Sequence, residues 1–486
     1  MENNTNHSET VYKPTTKTKD GILLKSDKAQ DCSLFIYLIA GVVNLTVFSS
    51  STTLVWSSPV LPYLQSNDTN INPLGQPITP AQTSLIGGLP YLGGVAGPLV
   101  LGKLCEVYGR KWTILLIGTF TLIMFVVLAF ASNIYVYYIT RTVLGGLLYY
   151  SFVVNNIYSS EIAENHNRGK LSSFLILYHV MGILYGYVLG LFFDVRNYTL
   201  LCAAPLVVSI ISIILFIPDS PYYLVRRDES QAIASLRRLR RRHEVTKDIE
   251  LIKDTINNAK KQDKSGWSHL VSEPVNRRAC LISVGAMSLN LFSGTTAVMA
   301  FSGTIFNALA VPGNLVSVGL GLVKSAMTLV ALVILSRFGK KDLMSLSTVG
   351  CSLSHLTIGI YFYLKSTELE GIESFALIPA IAVLTYMGFY AVGLGIGATA
   401  LAGELFADNV RTAGNSLVFI QSALLGFVVT SAFPLVTYYL GMYWPFFIFA
   451  AICAAGLIFI RYIVPRTDNK SFLEIQEILK KEVSRK

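Results

Sequence analysis

The feature that most constrains this chain is an apolar stretch of about twenty residues that recurs about twelve times, each long enough to cross a bilayer as a helix. The stretches run over roughly 33–56, 82–104, 112–131, 135–158, 171–193, 199–217, 279–306, 314–336, 343–364, 374–403, 412–437 and 441–463. Composition agrees with this reading. Hydrophobic residues make up 52%, charged residues 14%, and the mean hydropathy is +0.53, well above soluble norms. The expected fold is an all-α membrane protein with about twelve transmembrane helices in two six-helix halves. The first ~30 residues lack the apolar core of a cleavable signal, so span one is expected to insert as a signal anchor.

Charge sets the expected orientation. Lys and Arg crowd the loops after spans two, four, six, eight and ten, and both tails, whereas the other side carries only Arg196 and Lys365. The positive-inside rule then makes both termini cytoplasmic. The net charge of +10 is a topological signal, and no nucleic-acid partner is needed to explain it. The Arg-rich run from Arg237 to Arg242 reads as a solvated surface facing lipid headgroups. The sequon at Asn67 falls in the long first outer loop and is the expected glycosylation site. The one at Asn197 lies too close to the bilayer, and those at Asn3 and Asn6 face the cytoplasm. Cys32, Cys105, Cys202, Cys280, Cys351 and Cys453 have no paired spacing and read as small packing residues. Neither a metal site nor a cofactor is implied.

The chain divides into a tail (1–32), a six-span half (33–217), a polar linker (218–278), a second six-span half (279–464) and a C-terminal tail (465–486). The linker stretch "ESQAIASLRRLRRRHEVTKDIELIKDTINNAKK" has apolar residues at helical period and no Pro or Gly, which predicts short amphipathic helices. The halves repeat one another. "GKLCEVYGRK" (102–111) follows span two and "LSRFGKK" (335–341) follows span eight. "YSSEIAENHNRG" (158–169) follows span four and "LAGELFADNVRTAG" (401–414) follows span ten. "PDSPYY" (218–223) ends span six and "VPRTDNKS" (464–471) ends span twelve. Two parallel halves with a path between them describe a transporter that rocks one half against the other.

The repeated motifs supply a cytoplasmic gate. Its candidates are Gly102, Glu106, Gly109, Arg110, Lys111, Arg141, Glu161 and Arg168 in the first half, and Arg337, Gly339, Lys341, Glu404 and Arg411 in the second. The glycines allow a tight turn. Arg110 and Lys111 can pair with Glu161 or Glu404, and such pairs would latch the mouth in one state and break in the other.

These motifs, together with "RTVLGG", "SGTTAVMAFSGTIF" and "VPRTDNKSFLEI", resemble the sugar porter family of the major facilitator superfamily. Within it, the chain looks most like insect facilitated trehalose transporters. The resemblance covers about Leu34 to Ile478 and implies facilitated carbohydrate transport, with the plasma membrane as the expected location. Some positions are worn: Glu106 stands where the family usually has Asp, Tyr222 where Arg is common, and Arg466 where Glu is usual. The membrane centre departs further. Asn290 and Leu291 replace a glutamine pair in span seven, and Thr296 replaces an asparagine. Ile176 replaces a glutamine in span five, and "IGAT" (Ile396 to Thr399) replaces a Pro-Ile-Pro-Trp run. Lys324 stands at the family's span-eight asparagine. The expected substrate lining is therefore Asn290, Ser293, Thr295, Thr296, Lys324, Thr399 and His179, with Tyr178 and Asn155 nearby.

Lys324 changes the electrostatics of that centre. Ser317, Gly321, Lys324 and Thr328 share one helical face, opposite Leu322, Ala326, Leu329 and Val333. Near mid-span, ~15 Å from either interface, a lysine cannot snorkel out. No deep Asp or Glu is present, so it must be hydrated, neutral or paired with an anion from outside. Span one offers only hydroxyls in "NLTVFSSSTTLVW", without the acid of proton-coupled relatives. The leading reading is facilitative uniport of a sugar or similar small polar solute, with the bilayer as the other partner. An organic-anion transporter using Lys324 as counter-ion and a non-transporting membrane sensor are the alternatives. No enzyme constellation is present.

Overall fold

The computed structural model describes residues 33–484 except 102, 165–166, 263–265, 336, 408–409, 469 and 471. Gly102, the sequons at Asn3 and Asn6, and Cys32 lie outside the described residues. Everything regular among the described residues is helical.

The described residues form twelve spans. Span one is broken (Ser33–Ser51, Thr52–Leu54 and Ser57–Leu64); spans two to six are Pro80–Leu101, Arg110–Ala129, Ile134–Ile162, Arg168–Phe192 and Val195–Phe216. Span seven is broken into Pro274–Phe292 and Thr295–Ala308; eight and nine are Gly313–Ile334 and Lys340–Ser366. Span ten has three parts, Leu377–Tyr390, a π-helical turn Ala391–Gly395, and Ile396–Leu405; eleven and twelve are Arg411–Leu440 and Tyr443–Tyr462. Span one runs on to Leu64 because its break is a short tight turn and not an end. Ser51 Oγ bonds Val47 O at 2.6 Å and Thr52 Oγ1 bonds Ser49 O at 2.7 Å, so hydroxyls compete with the backbone ladder there. Span seven breaks at Gly294, whose φ of +87° is a left-handed conformation costly for any residue with a Cβ.

Close backbone contact fixes each half. A Cβ on Gly145 of span four would lie 1.9 Å from Pro90 O of span two, so only glycine permits that crossing. The linker forms helices Glu229–Arg240, Thr246–Gln262 and Gly266–Ser272. Ala232 and Leu236 of the first, Ile249, Ile252 and Ile256 of the second, and Val245 just before it are buried together. A last helix, Phe472–Ser484, follows span twelve.

The polar contacts between halves lie from mid-membrane toward the face away from the charged loops. There Ser57 Oγ donates to Ala300 O at 2.9 Å and Ser58 Oγ meets Ser302 Oγ at 2.7 Å. Ser84 Oγ donates to Ser431 O at 2.5 Å, Tyr187 Oη to Met299 O at 2.8 Å, and Asn314 Nδ2 to Gly190 O at 3.1 Å. In the stretches leading to the charged face, Asn156 and Thr399 are exposed. The halves are thus pinned together at the uncharged face.

Candidate functional site

Two places concentrate polar chemistry, and the first is a pair of clamps at the charged face. Arg110, at the start of span three, grips Glu161 at the end of span four: Nη2 to Oε1 is 2.7 Å and Nε to Oε2 is 2.9 Å. Both side chains are 12% exposed. Ser220 Oγ donates to the same carboxylate. Asp219 accepts from Ser220 N at 2.7 Å and Lys111 N at 3.2 Å. Burial still raises its pKa above the ordinary carboxylate value, against the pull of those N–H groups and Arg110. Gly109 has φ +88° and lets Asp219 approach, since a Cβ there would lie 2.6 Å from Asp219 Oδ2.

The second half repeats this geometry with different residues. Lys340 Nζ reaches both Glu404 oxygens at 2.7 Å, with side chains 17% and 36% exposed. Asp468 accepts from Lys340 N at 2.7 Å, and a Cβ on Gly339 would lie 2.6 Å from Asp468 Oδ2. Lys341 instead caps span twelve, donating to Arg461 O at 2.8 Å and Val464 O at 2.7 Å. The appended helices cap equivalent ends. Arg240 bonds Ile162 O at 2.7 Å at the end of span four, and Gln476 bonds Leu405 O at 2.9 Å at the end of span ten.

These contacts correct several expectations. Each clamp closes within one half: Arg110 pairs with Glu161, whereas Glu404 takes Lys340 of its own half in place of Arg110 or Lys111. Arg141 is not part of the charged-face cluster. It sits two turns from the other end of span four, fully buried, donating to Thr53 O at 2.7 Å and Ile86 O at 3.1 Å. Its guanidinium lies 5.1 Å from the Trp56 ring centroid, and this packing ties spans one, two and four together. Glu106, Arg168 and Arg337 are exposed at the charged face, and Arg411 opens span eleven there. Lys340, Asp219, Ser220 and Asp468 were missed. The signal was available: each Gly of the turn is followed directly by a cation (Gly109-Arg110, Gly339-Lys340), and each span-end motif carries an Asp.

The second place is the membrane centre. Lys324 Nζ lies 2.8 Å from Met299 Sδ, and His179 of the other half is within its electrostatic reach. The lipid-side assignment of span eight holds, with Leu322, Leu329 and Val333 exposed while Ser317 and Thr328 are buried. His179 Nδ1 is 2.8 Å from Ser51 Oγ. That hydroxyl's proton goes to Val47 O, so the imidazole donates from Nδ1 and presents Nε2 as an acceptor. Phe152 packs edge-on against the ring at 5.2 Å.

Several expected lining residues are instead spent on the scaffold. Asn290 Nδ2 donates to Leu394 O at 2.7 Å and its Oδ1 accepts from Tyr390 Oη at 3.2 Å. Ser293 Oγ bonds Asn290 O at 2.6 Å, while its carbonyl accepts from His355 at 2.8 Å and Tyr386 at 2.9 Å. Thr399 Oγ1 turns back to Ile396 O at 2.9 Å. Asn155 ties span four to span one through Val43 O and Thr46 Oγ1, and Tyr178 packs on Phe174 and Phe48. Thr295 and Thr296 are buried beside the break. Tyrosines from both halves are buried or half-buried in the spans as well: Tyr91, Tyr149 and Tyr390 near the middle of spans two, four and ten, and Tyr187 five residues from the end of span five. They were missed because a tyrosine in a span reads first as packing.

Two pseudo-symmetric six-span halves, stapled alike and lined at mid-membrane by side chains of both, define a membrane carrier of the rocking type. Residues 32–479 match the family model "Sugar (and other) transporter", and the chain belongs to that family. It is 30% identical over 402 residues to "Sugar transporter ERD6-like 10" of Arabidopsis thaliana, covering 82% of this chain and 87% of that protein. It is 27% identical over 433 residues to "Facilitated trehalose transporter Tret1" of Anopheles gambiae, covering 88% of this chain and 53% of that protein. In fold it is similar to the inward-open conformation of the xylose transporter XylE from E. coli. There the TM-score is 0.77 at 18% identity, over 91% of this chain and 99% of that one.

Proposed function

We infer that the protein moves a sugar, or a similarly small polyhydroxylated solute, across a membrane by facilitated alternating access. The observation that carries the mechanism is the acid-free centre. Among the described residues every Asp and Glu near a span lies at its end, so no intramembrane carboxylate is available to load and release a proton. The lining at mid-membrane is hydroxyls, an imidazole, aromatic rings and the one amine of Lys324, and the hydroxyls and rings suit sugar hydroxyls and the apolar face of a sugar ring. The names of the relatives support the sugar reading. We read the charged face as cytoplasmic, which makes the pinned arrangement an inward-facing state, and the plasma membrane as the location.

The test is counterflow in proteoliposomes, comparing neutral mono- and disaccharides with small carboxylates, with and without a pH gradient. Uptake of a neutral sugar that ignores the gradient is expected. Uptake that follows the gradient would refute uniport, and uptake confined to carboxylates would favour the anion reading, in which Lys324 is the counter-ion. Lys324→Asn separates the two. It should preserve or improve sugar uptake, because it restores an amide and removes a buried cation, whereas it should abolish anion uptake.

A further inference from the structure

We propose that Tyr91, in span two, is a substrate-contacting and specificity-determining residue, its hydroxyl bonding a substrate hydroxyl at the meeting point of the two halves. This inference rests on the sugar reading above and names a contact for it. Tyr91 is 3% exposed, and its hydroxyl has no hydrogen-bond partner among the described residues. A buried hydroxyl left unpaired is costly, and it is tolerated best where a ligand or water takes it up. Its placement is specific. Tyr91 lies eleven residues from Pro80 and ten from Leu101, the two ends of span two, so it stands at mid-membrane. Its ring crosses to the other half and packs on Gly426 of span eleven, where a Cβ would lie 2.7 Å from the ring.

Tyr149, Tyr187 and Tyr390 are the tyrosine neighbours of Tyr91, and Tyr149 packs on Gly94, one turn along span two, where a Cβ would lie 2.5 Å from the ring. Two of these tyrosines are already committed, Tyr187 to Met299 O and Tyr390 to Asn290 Oδ1, so they act as fixed walls. Tyr91 keeps its donor and acceptor for something else. Its tyrosine neighbours supply aromatic rings. A neutral polyol satisfies both needs at once, with a hydroxyl for Tyr91 and C–H groups for the rings.

The experiment measures KM for D-glucose and for trehalose in proteoliposomes of wild type, Tyr91→Phe and Tyr361→Phe. Tyr361 is the control: its hydroxyl is also buried and without a hydrogen-bond partner among the described residues, but it lies five residues from the end of span nine, within the second half. Tyr91→Phe should raise KM about ten-fold or more with the protein still monodisperse, while Tyr361→Phe leaves KM unchanged. Across the monodeoxy analogues of glucose, Tyr91→Phe should lose the discrimination that wild type shows at one hydroxyl. An unchanged KM and unchanged discrimination in Tyr91→Phe would overturn this contact alone. An equal rise in Tyr361→Phe would make the effect structural and overturn it too. A wild-type protein that moves neither sugar would refute the sugar reading itself.

Discussion

Replacing Arg110 by Ala should destabilise the protein more than it biases its conformational cycle, and more than Lys340→Ala does. Arg110 and Glu161 share a bidentate contact with both side chains 12% exposed. Removing one partner of a fully buried pair costs ~3–5 kcal/mol, whereas exposed pairs are worth up to about 1 kcal/mol. At this exposure the loss should be about 2–3 kcal/mol, because only Ser220 remains on the Glu161 carboxylate. Lys340–Glu404 is wetter, with Glu404 36% exposed, and solvent screening reduces its loss to about 1 kcal/mol. For a half of this size, those figures correspond to roughly 5–10 °C and 2–4 °C in Tm. The assay is thermal unfolding in detergent, read by a thiol-reactive dye on the buried Cys202, Cys351 and Cys453. Each pair joins span ends of the same half, so the loss expected from breaking it is one of stability. An Arg110→Ala protein that melts within about 2 °C of wild type yet has lost transport would refute this reasoning and restore the latch across the mouth.

Gly109→Ala should cost about 2–3 kcal/mol and Gly339→Ala less, measured by the same melts, because Gly109 holds φ +88° and ψ 171° while Gly339 has φ −56° and ψ 141°. Asp219 has a raised pKa in the folded state. Just above the ordinary carboxylate range the folded protein therefore binds more protons than the unfolded one, and stability falls as pH rises through that window. Comparing melts of wild type and Asp219→Asn across that window checks the sign, since the variant should lose this pH dependence. If the charged face is cytoplasmic, the exposed Asn67 is extracellular or lumenal. Glycosidase treatment of protein from eukaryotic cells should then shift its mobility, and Asn67→Gln should abolish the shift.

The architecture was legible because lipid demands long apolar helices and asymmetric charge, and both are written directly in composition. Span ends were less so. Span one extends beyond 56 because its serines and threonines form a hydrogen-bonded turn inside a continuing helix. The clamps were half legible: Arg110, Glu161 and Glu404 were found by their repetition, but Lys340 was passed over for its neighbour because two adjacent lysines carry the same letter and opposite tasks. Arg141 was misplaced for a related reason. A motif next to a gate in sequence can lie two helical turns inside the opposite leaflet. The centre was least legible. Asn290, Ser293 and Thr399 have the right chemistry for a ligand, and the sequence does not say that neighbouring carbonyls already hold them.

The π-helical turn at Ala391–Gly395 has a mechanical consequence. Where the sugar-porter pattern breaks span ten with prolines, this chain interrupts it by side chains: Asn290 takes Leu394 O at 2.7 Å and Ser347 Oγ takes Leu394 N at 3.1 Å. A proline kink is permanent, since its ring forbids the missing bond. A joint made of two side-chain hydrogen bonds can be remade, by exchanging those partners for the helix's own carbonyls and amides. The interruption of span ten thus rests on Asn290 and Ser347, two residues outside the span itself.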